Sequence, residues 1–401
     1  MSDESTDLDV WVLAGQSNMQ GFAWRMDALR PDPRVKVFSS AGAWETAEEP
    51  LHKLWESFTP VHQELMRPGL SPADRSLSDA ELAIREARES TRGAGLGLAF
   101  GIAMADATGR RIGLVPAAHD GTRLSQWSES EKSRGGHSLY GALLERVARA
   151  GGRLRGLLWY QGESDAHDLV GSQTYGHRLD QWIAALREDL GAPDLPVVAV
   201  QIGRALPPKA GEGQFPGWDL IREAIATLPE RTRATAVTSA VDLPLVDCLH
   251  VNTTGLIRLG RRMARLALHL TDTPSLPAGP RVVSIEPWTT PGGGRNALRV
   301  GFDGVTGGWS RADALQGFSL HPAQGSSEAP PVIINVWVDT EVRDGSVIIL
   351  LTRQIHPGEK VGYGLGKDPR CDLVDLADMP LCSFLPRGIG LSAPGGGELW
   401  H

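Results

Sequence analysis

The sequence predicts an α/β protein: an open, three-layer αβα arrangement around a mainly parallel sheet, followed by a smaller β-rich region. Three observations carry this. Short apolar runs alternate with longer amphipathic stretches from residue 9 to residue 270. A proline-containing break follows at Thr271–Pro280. Beyond it apolar runs continue, but none has the length and period of a helix.

The short, largely apolar runs Asp9–Ala14, Arg111–Ala117, Arg155–Tyr160, Leu195–Ile202 and Thr232–Val241 read as buried strands of a parallel sheet. Between them Leu139–Ala150, Tyr175–Leu190, Trp218–Leu228 and Thr254–Leu270 repeat apolar residues at helical spacing. In such a sheet, ligands bind at the carboxyl ends of the strands. Residues 43–95 form a long insertion after the first strand, with a charged helix expected over Asp79–Ser90. Its length suits a substrate-binding rim. After the break, Arg281–Ile285, Leu298–Phe302, Val332–Val338 and Ser346–Thr352 are expected strands, and Gly292–Gly294 and Gly395–Gly397 turns or loose ends. The expected division is residues 1–275 and 276–401.

Of 401 residues, 41% are hydrophobic and 22% charged, as in a folded globular chain, and the net charge of −8 disfavours a polyanionic partner. No cluster of Lys and Arg interleaved with aromatics suggests a nucleic-acid groove. The beginning, Met1–Asp9, is acidic and polar where a signal peptide is basic and then apolar. The longest apolar runs are strand-sized, which argues against a membrane span. Cys248, Cys371 and Cys382 are the only cysteines, a set that fits a reducing compartment better than a disulfide framework. The expected location is cytoplasmic. The oligomeric state is not legible.

Four segments carry chemistry. The first strand ends in Gly15-Gln16-Ser17-Asn18-Met19. A serine at a strand-to-helix turn exposes its hydroxyl and directs its own N–H to the same space, the pairing that attack on a carbonyl requires. It is not the Gly-x-Ser-x-Gly elbow. Near the end of the α/β part comes Asp247-Cys248-Leu249-His250. An aspartate three residues before a histidine can bond Nδ1 and leave Nε2 for a nucleophile, although a capping Asp beside an incidental His reads the same way. At two other strand ends lie His119-Asp120-Gly121-Thr122 and Gln161-Gly162-Glu163-Ser164-Asp165. The Gly121 N–H and the Gln161 amide, with the Ser17 N–H, would make a three-donor oxyanion hole. Glu163 and Asp165 suggest a glycosidase carboxylate pair or, more simply, acids that orient loops. Trp127, Trp159 and Tyr160 are candidates for stacking on sugar or for the core, and Cys248 is expected to be packed.

In this order the four blocks closely resemble the SGNH carbohydrate esterases, and within them the sialate O-acetylesterase and acetylxylan esterase group, including carbohydrate esterase family six. Trp44-Glu45, Glu49–His52 and Gly93–Phe100 resemble that family's first insertion, and Tyr363–Cys371 with Met379–Phe384 the end of sialate O-acetylesterases. The resemblance implies an SGNH (flavodoxin-like) fold and an acetylated carbohydrate substrate, with Ser17 as nucleophile, His250 as general base and Asp247 as its orienting acid. It implies an oxyanion hole from Ser17, a block-two glycine and Gln161, and no metal or organic cofactor. Asp120, Trp127 and Glu163 are the candidate substrate contacts. Family members usually read Gly-Gly-Thr where this chain reads Asp120-Gly121-Thr122. A carboxylate beside a developing oxyanion would oppose it, so the Asp120 side chain is expected to turn to a rim group, such as Arg123 or a backbone N–H of the insertion, while Gly121 or the Asp120 N–H serves the oxyanion. Two rival readings keep the same scaffold, a carbohydrate-binding protein with a disabled site and an acetyltransferase. Gly93-Ala94-Gly95-Leu96-Gly97 lacks the dinucleotide spacing, and the eleven histidines show no metal spacing.

Overall fold

The computed structural model describes residues 7–206, 215–289, 296–340 and 345–392. Met1–Thr6, Gly292–Gly294 and Gly395–Gly397, on which the leader and turn readings rest, lie outside them. The chain divides into two compact units, Met1–Leu276 and Pro277–His401.

The first unit is built on a seven-stranded sheet. In chain order its strands are β1 (Leu8–Gly15), β2 (Val35–Phe38), β3 (Trp44–Thr46), β4 (Arg111–Pro116), β5 (Arg153–Tyr160), β6 (Val197–Gln201) and β7 (Thr235–Ser239). They are arranged β3-β2-β4-β1-β5-β6-β7, parallel throughout except for the antiparallel edge strand β3. All eight residues of central β1 are buried, which an apolar strand achieves only with both sheet faces covered. The cover comes from α2 (Gly97–Thr108), α3 (Leu139–Ala150), α4 (Leu169–Asp189), α5 (Trp218–Ala226) and α6 (Thr253–Leu270), numbered after the short α1 (Ser17–Gln20). This is the α/β SGNH-like architecture that the sequence implies.

Two sheet strands and one helix were not anticipated. β2 has only four residues, with Lys36 in the middle, and β3 is half exposed and lies inside the insertion. The α2 sequence GLAFGIAMADAT is apolar nearly all round, so it shows no amphipathic stripe. The charged helix of the insertion spans Asp79–Glu89 and begins with a capping box between Ser78 and Glu81.

At the amino-terminal ends of the strands, Asp9 on β1 is 2% exposed and receives a cluster of arginines. Arg110 donates to it at 2.9 Å and Arg153 at 2.6 Å, and Arg155 lies at 3.8 Å. Arg110 and Arg155 also reach Asp272, just beyond α6, at 2.6 and 3.1 Å.

The second unit, described by itself, holds two antiparallel sheets. The larger has the order Ile333–Val338, Val347–Leu351, Asn296–Asp303, Arg281–Thr289, Leu391–Ser392, and the smaller pairs Phe318–His321, Lys360–Tyr363 and Phe384–Gly388. Trp288 and Trp337 pack on Ala297, Ile348 and Leu350 in the larger sheet. This is the β-rich extension expected from the sequence.

Candidate active site

The site forms at the carboxyl ends of β1, β4 and β5. Gly15 sits at φ +135°, and a Cβ there would stand 2.1 Å from the Tyr160 carbonyl oxygen, so only glycine lets β1 end against β5. The Gln16 N–H then donates to that carbonyl at 2.9 Å. The Gln16 side-chain oxygen accepts from the N–H groups of Gly162 (3.4 Å) and Ser164 (3.2 Å). Ser17 follows as the first residue of α1 and lines a cleft of about 220 Å³ together with Gly121, Asp120, Glu163, Leu249 and His250.

His250 reaches this cleft from the segment between β7 and α6. Its Nδ1 meets both Asp247 carboxylate oxygens, at 3.0 and 2.9 Å. The same carboxylate accepts the N–H groups of Leu249 (2.9 Å) and His250 (2.8 Å) and one guanidinium N–H of Arg92 (2.8 Å). Partial burial pushes the Asp247 carboxyl up, but these donors together hold it well below the usual carboxylate range. The imidazole also stacks on Phe22, with ring centroids 4.5 Å apart and planes 18° from parallel. Just downstream, the Asn252 side chain caps α6 by accepting the Gly255 N–H at 2.9 Å, which anchors the histidine segment.

Asn18 connects the two halves of the site. Its amide nitrogen donates to Glu163 at 2.8 Å, and its oxygen accepts the Val251 N–H at 3.0 Å. Burial, then the nearby Asp165, push the Glu163 carboxyl up against the lowering effect of Asn18 and His250. Its Oε2 has no partner among the described residues. Asp165 orients a loop, accepting the Leu124 N–H at 2.8 Å, and pairs with Arg178 at 3.1 Å.

Several sequence expectations need correction. Gln161 is 0% exposed and does not line the cleft. Its amide nitrogen donates to Gln16 (3.2 Å), the Thr122 carbonyl (3.0 Å) and Asp165 (2.7 Å), and its carbonyl accepts from the Tyr175 hydroxyl (2.8 Å). With its polar groups engaged inward, it holds the strand end in place and offers no donor to the cleft. Trp127, Trp159 and Tyr160 are also 0% exposed, so none is a stacking platform. Trp127 packs edge-on against Trp159 and donates to Thr122 at 3.2 Å. Asp120 does not turn to Arg123. Its N–H donates to Gln20 at 2.8 Å, and its side chain lines the cleft with Oδ1 3.9 Å from His119 Nε2. His119 in turn meets His62, Nδ1 to Nδ1, at 3.0 Å. Cys248 is exposed rather than packed. Gly121 has φ +66° and open space where a Cβ would stand.

Arg92, Phe22, Asn18 and Gln16 were missed as site residues. Asn18 and Gln16 flank the serine inside the first block, which was the available signal. Arg92 and Phe22 come from elements whose approach to His250 no local pattern announces.

A strand-end serine and a carboxylate-bound histidine facing one cleft on a doubly wound sheet are the arrangement of an SGNH-type hydrolase. Residues 7–269 match the family described as carbohydrate esterase, sialic acid-specific acetylesterase, and the chain belongs to that family. It is similar to a probable carbohydrate esterase of Arabidopsis thaliana, 29% identical over 285 residues that cover 65% of this chain and 90% of that one. It is also similar in fold to the crystal structure of a carbohydrate acetylesterase from Xanthomonas citri. That match has a TM-score of 0.65 at 20% identity and covers 94% of this chain and 80% of the other. Membership makes this chain a carbohydrate esterase. Among the described residues, no helix is long and apolar enough to cross a membrane.

Proposed function

We propose that the protein is an O-acetylesterase that removes acetyl groups from a carbohydrate by a Ser17–His250–Asp247 mechanism. The observation that carries this reading is the doubly bonded Asp247–His250 pair on the same cleft as Ser17. Asp247, kept anionic, fixes a proton on Nδ1 and leaves Nε2 free to accept one. Ser17 Oγ attacks the acetyl carbonyl while Nε2 takes its proton. The imidazolium then protonates the departing sugar oxygen, and water, deprotonated by the same nitrogen, releases acetate from the serine. The Ser17 and Gly121 N–H groups are the oxyanion donors in this reading, since neither has an acceptor among the described residues. A cleft of about 220 Å³ suits a small acyl group. No step calls for a metal or organic cofactor.

Release of acetate from acetylated oligosaccharides, with 4-nitrophenyl acetate as a general ester, tests the proposal. Turnover that Ser17→Ala abolishes with the fold retained is expected. Undiminished turnover in that variant would discard the serine mechanism. Capture of the acetyl group by added sugar alcohols in place of water would make the protein an acetyltransferase.

A further inference from the structure

Beside the catalytic cleft lies a second one of about 420 Å³, walled largely by the insertion. Phe22, whose ring stacks on that of His250, lines both, and Gln20, which holds the Asp120 N–H, lines the second. A sugar whose acetyl group reaches Ser17 therefore has this adjoining space to enter.

The wall of this space is unevenly charged. Glu48, Glu56 and Glu86 line it, and Asp120 stands next door in the catalytic cleft. Among the described residues none of the three glutamates has an ion-pair partner. Of the cations in the wall, Arg92 is paired with Asp247 at 2.8 Å, while Lys53 and Arg25, which reaches the Ser90 carbonyl at 3.4 Å and also acts on Glu49, remain as positive charges. The carboxylates also act on one another. Glu86 is exposed as a residue, but desolvation at its carboxyl, then the like charges of Glu56 and Asp120, push that carboxyl up. His52 adds no positive charge. It is buried in the wall, and burial, then the nearby Arg146, push it down to about 3 against the raising effect of the Gln20 and Leu13 backbone.

We propose that this second cleft receives the sugar and selects an acetylated carbohydrate without a carboxylate, a neutral or amino sugar, with Glu56 and Glu86 as specificity-determining residues. A sugar acid would bring a negative charge into a space where Glu48, Glu56 and Glu86 outnumber Arg25 and Lys53, with Asp120 alongside, and like-charge juxtaposition is strongly disfavoured at a binding site. Selection against acidic sugars narrows the substrate class within a family described by sialic acid. The proposal rests on the esterase reading above, so its test has one arm that needs no catalysis.

The matched probes are an O-acetylated sialic acid and the methyl ester of its carboxyl group, which differ in that one charge. The wild-type kcat/KM for acetate release is expected to be at least about tenfold higher for the methyl ester. E56Q/E86Q is expected to shrink that ratio by about fivefold or more, as is raised salt. In the binding arm, calorimetry on Ser17→Ala compares N-acetylneuraminic acid with its methyl ester, and again in the E56Q/E86Q background. Equal handling of acid and ester by the wild type, or a ratio that E56Q/E86Q leaves in place, overturns the proposal. If the folded wild type hydrolyses no acetyl ester, the esterase reading fails, and the binding arm still decides the cleft's preference.

Discussion

Asn18 donates to the buried Glu163 carboxylate at 2.8 Å, and the carbonyl end of the same side chain holds the Val251 N–H at 3.0 Å. One amide thus fixes three chain segments, the serine turn, the end of β5 and the residue after His250. The serine turn and the residue after the imidazole are tied to each other through the Asn18 side chain.

Asn18→Ala is therefore expected to lower kcat by roughly 10–100-fold, because small misplacements of reacting groups cost about that much. The melting temperature should also fall, since Glu163 loses its amide donor. Steady-state kinetics with 4-nitrophenyl acetate and a thermal melt check this, and wild-type turnover in the variant would show that the two segments are held by other contacts.

Asp247→Asn should reduce kcat by about 10³–10⁴, as loss of the orienting carboxylate favours the wrong tautomer. Arg92→Met should have a smaller effect on kcat, because the carboxylate keeps its backbone donors. If Arg92→Met proves as damaging as Asp247→Asn, the guanidinium has a part of its own in the reaction.

Gln161→Ala is expected to cost about 1–3 kcal/mol of stability, the usual penalty for buried polar groups left without partners. Denaturant unfolding measures it directly. A fall in turnover of 100-fold or more with unchanged stability would instead return the Gln161 amide to the oxyanion hole.

Glu49 predicts a pH effect on stability. Burial pushes its carboxyl up to about 7, although the Gly95 and Leu51 N–H groups and Arg25 pull the other way. The folded value lies above the ordinary glutamate value of 4.5, so the folded state binds the proton more tightly. Its contribution is fully present below pH 4.5 and is lost as pH rises through 7. The melting temperature of wild type minus that of Glu49→Gln should therefore fall between those two pH values. A difference that is flat across the window would mean that Glu49 is solvated as in the unfolded chain.

Much of the first unit was legible because its central strands are buried on both faces and read as largely apolar runs. β2 and α2 escaped for opposite reasons: Lys36 interrupts one, and the other has no polar face to mark its period. At the site, Asp247 and His250 lie three residues apart, within reach of any local reading. Gln161 and Trp127 show the limit. Their positions in the blocks were plain, but whether a strand-end side chain points to the cleft or into the core depends on partners elsewhere. Asp165, Thr122 and Gln16 draw the Gln161 amide inward, and Trp159 and Thr122 do the same for Trp127.

The arginines gathered on Asp9 lie at the opposite end of the sheet from Ser17, and they join β1, β4 and β5 to the segment after α6. The edge that carries Ser17 is thus separated from the ion pairs that tie the far edge together. Substitutions at Arg110 or Arg153 would loosen the foundation without touching the workbench. On the proposed reading, a change of sugar preference made in the insertion leaves that anchorage alone.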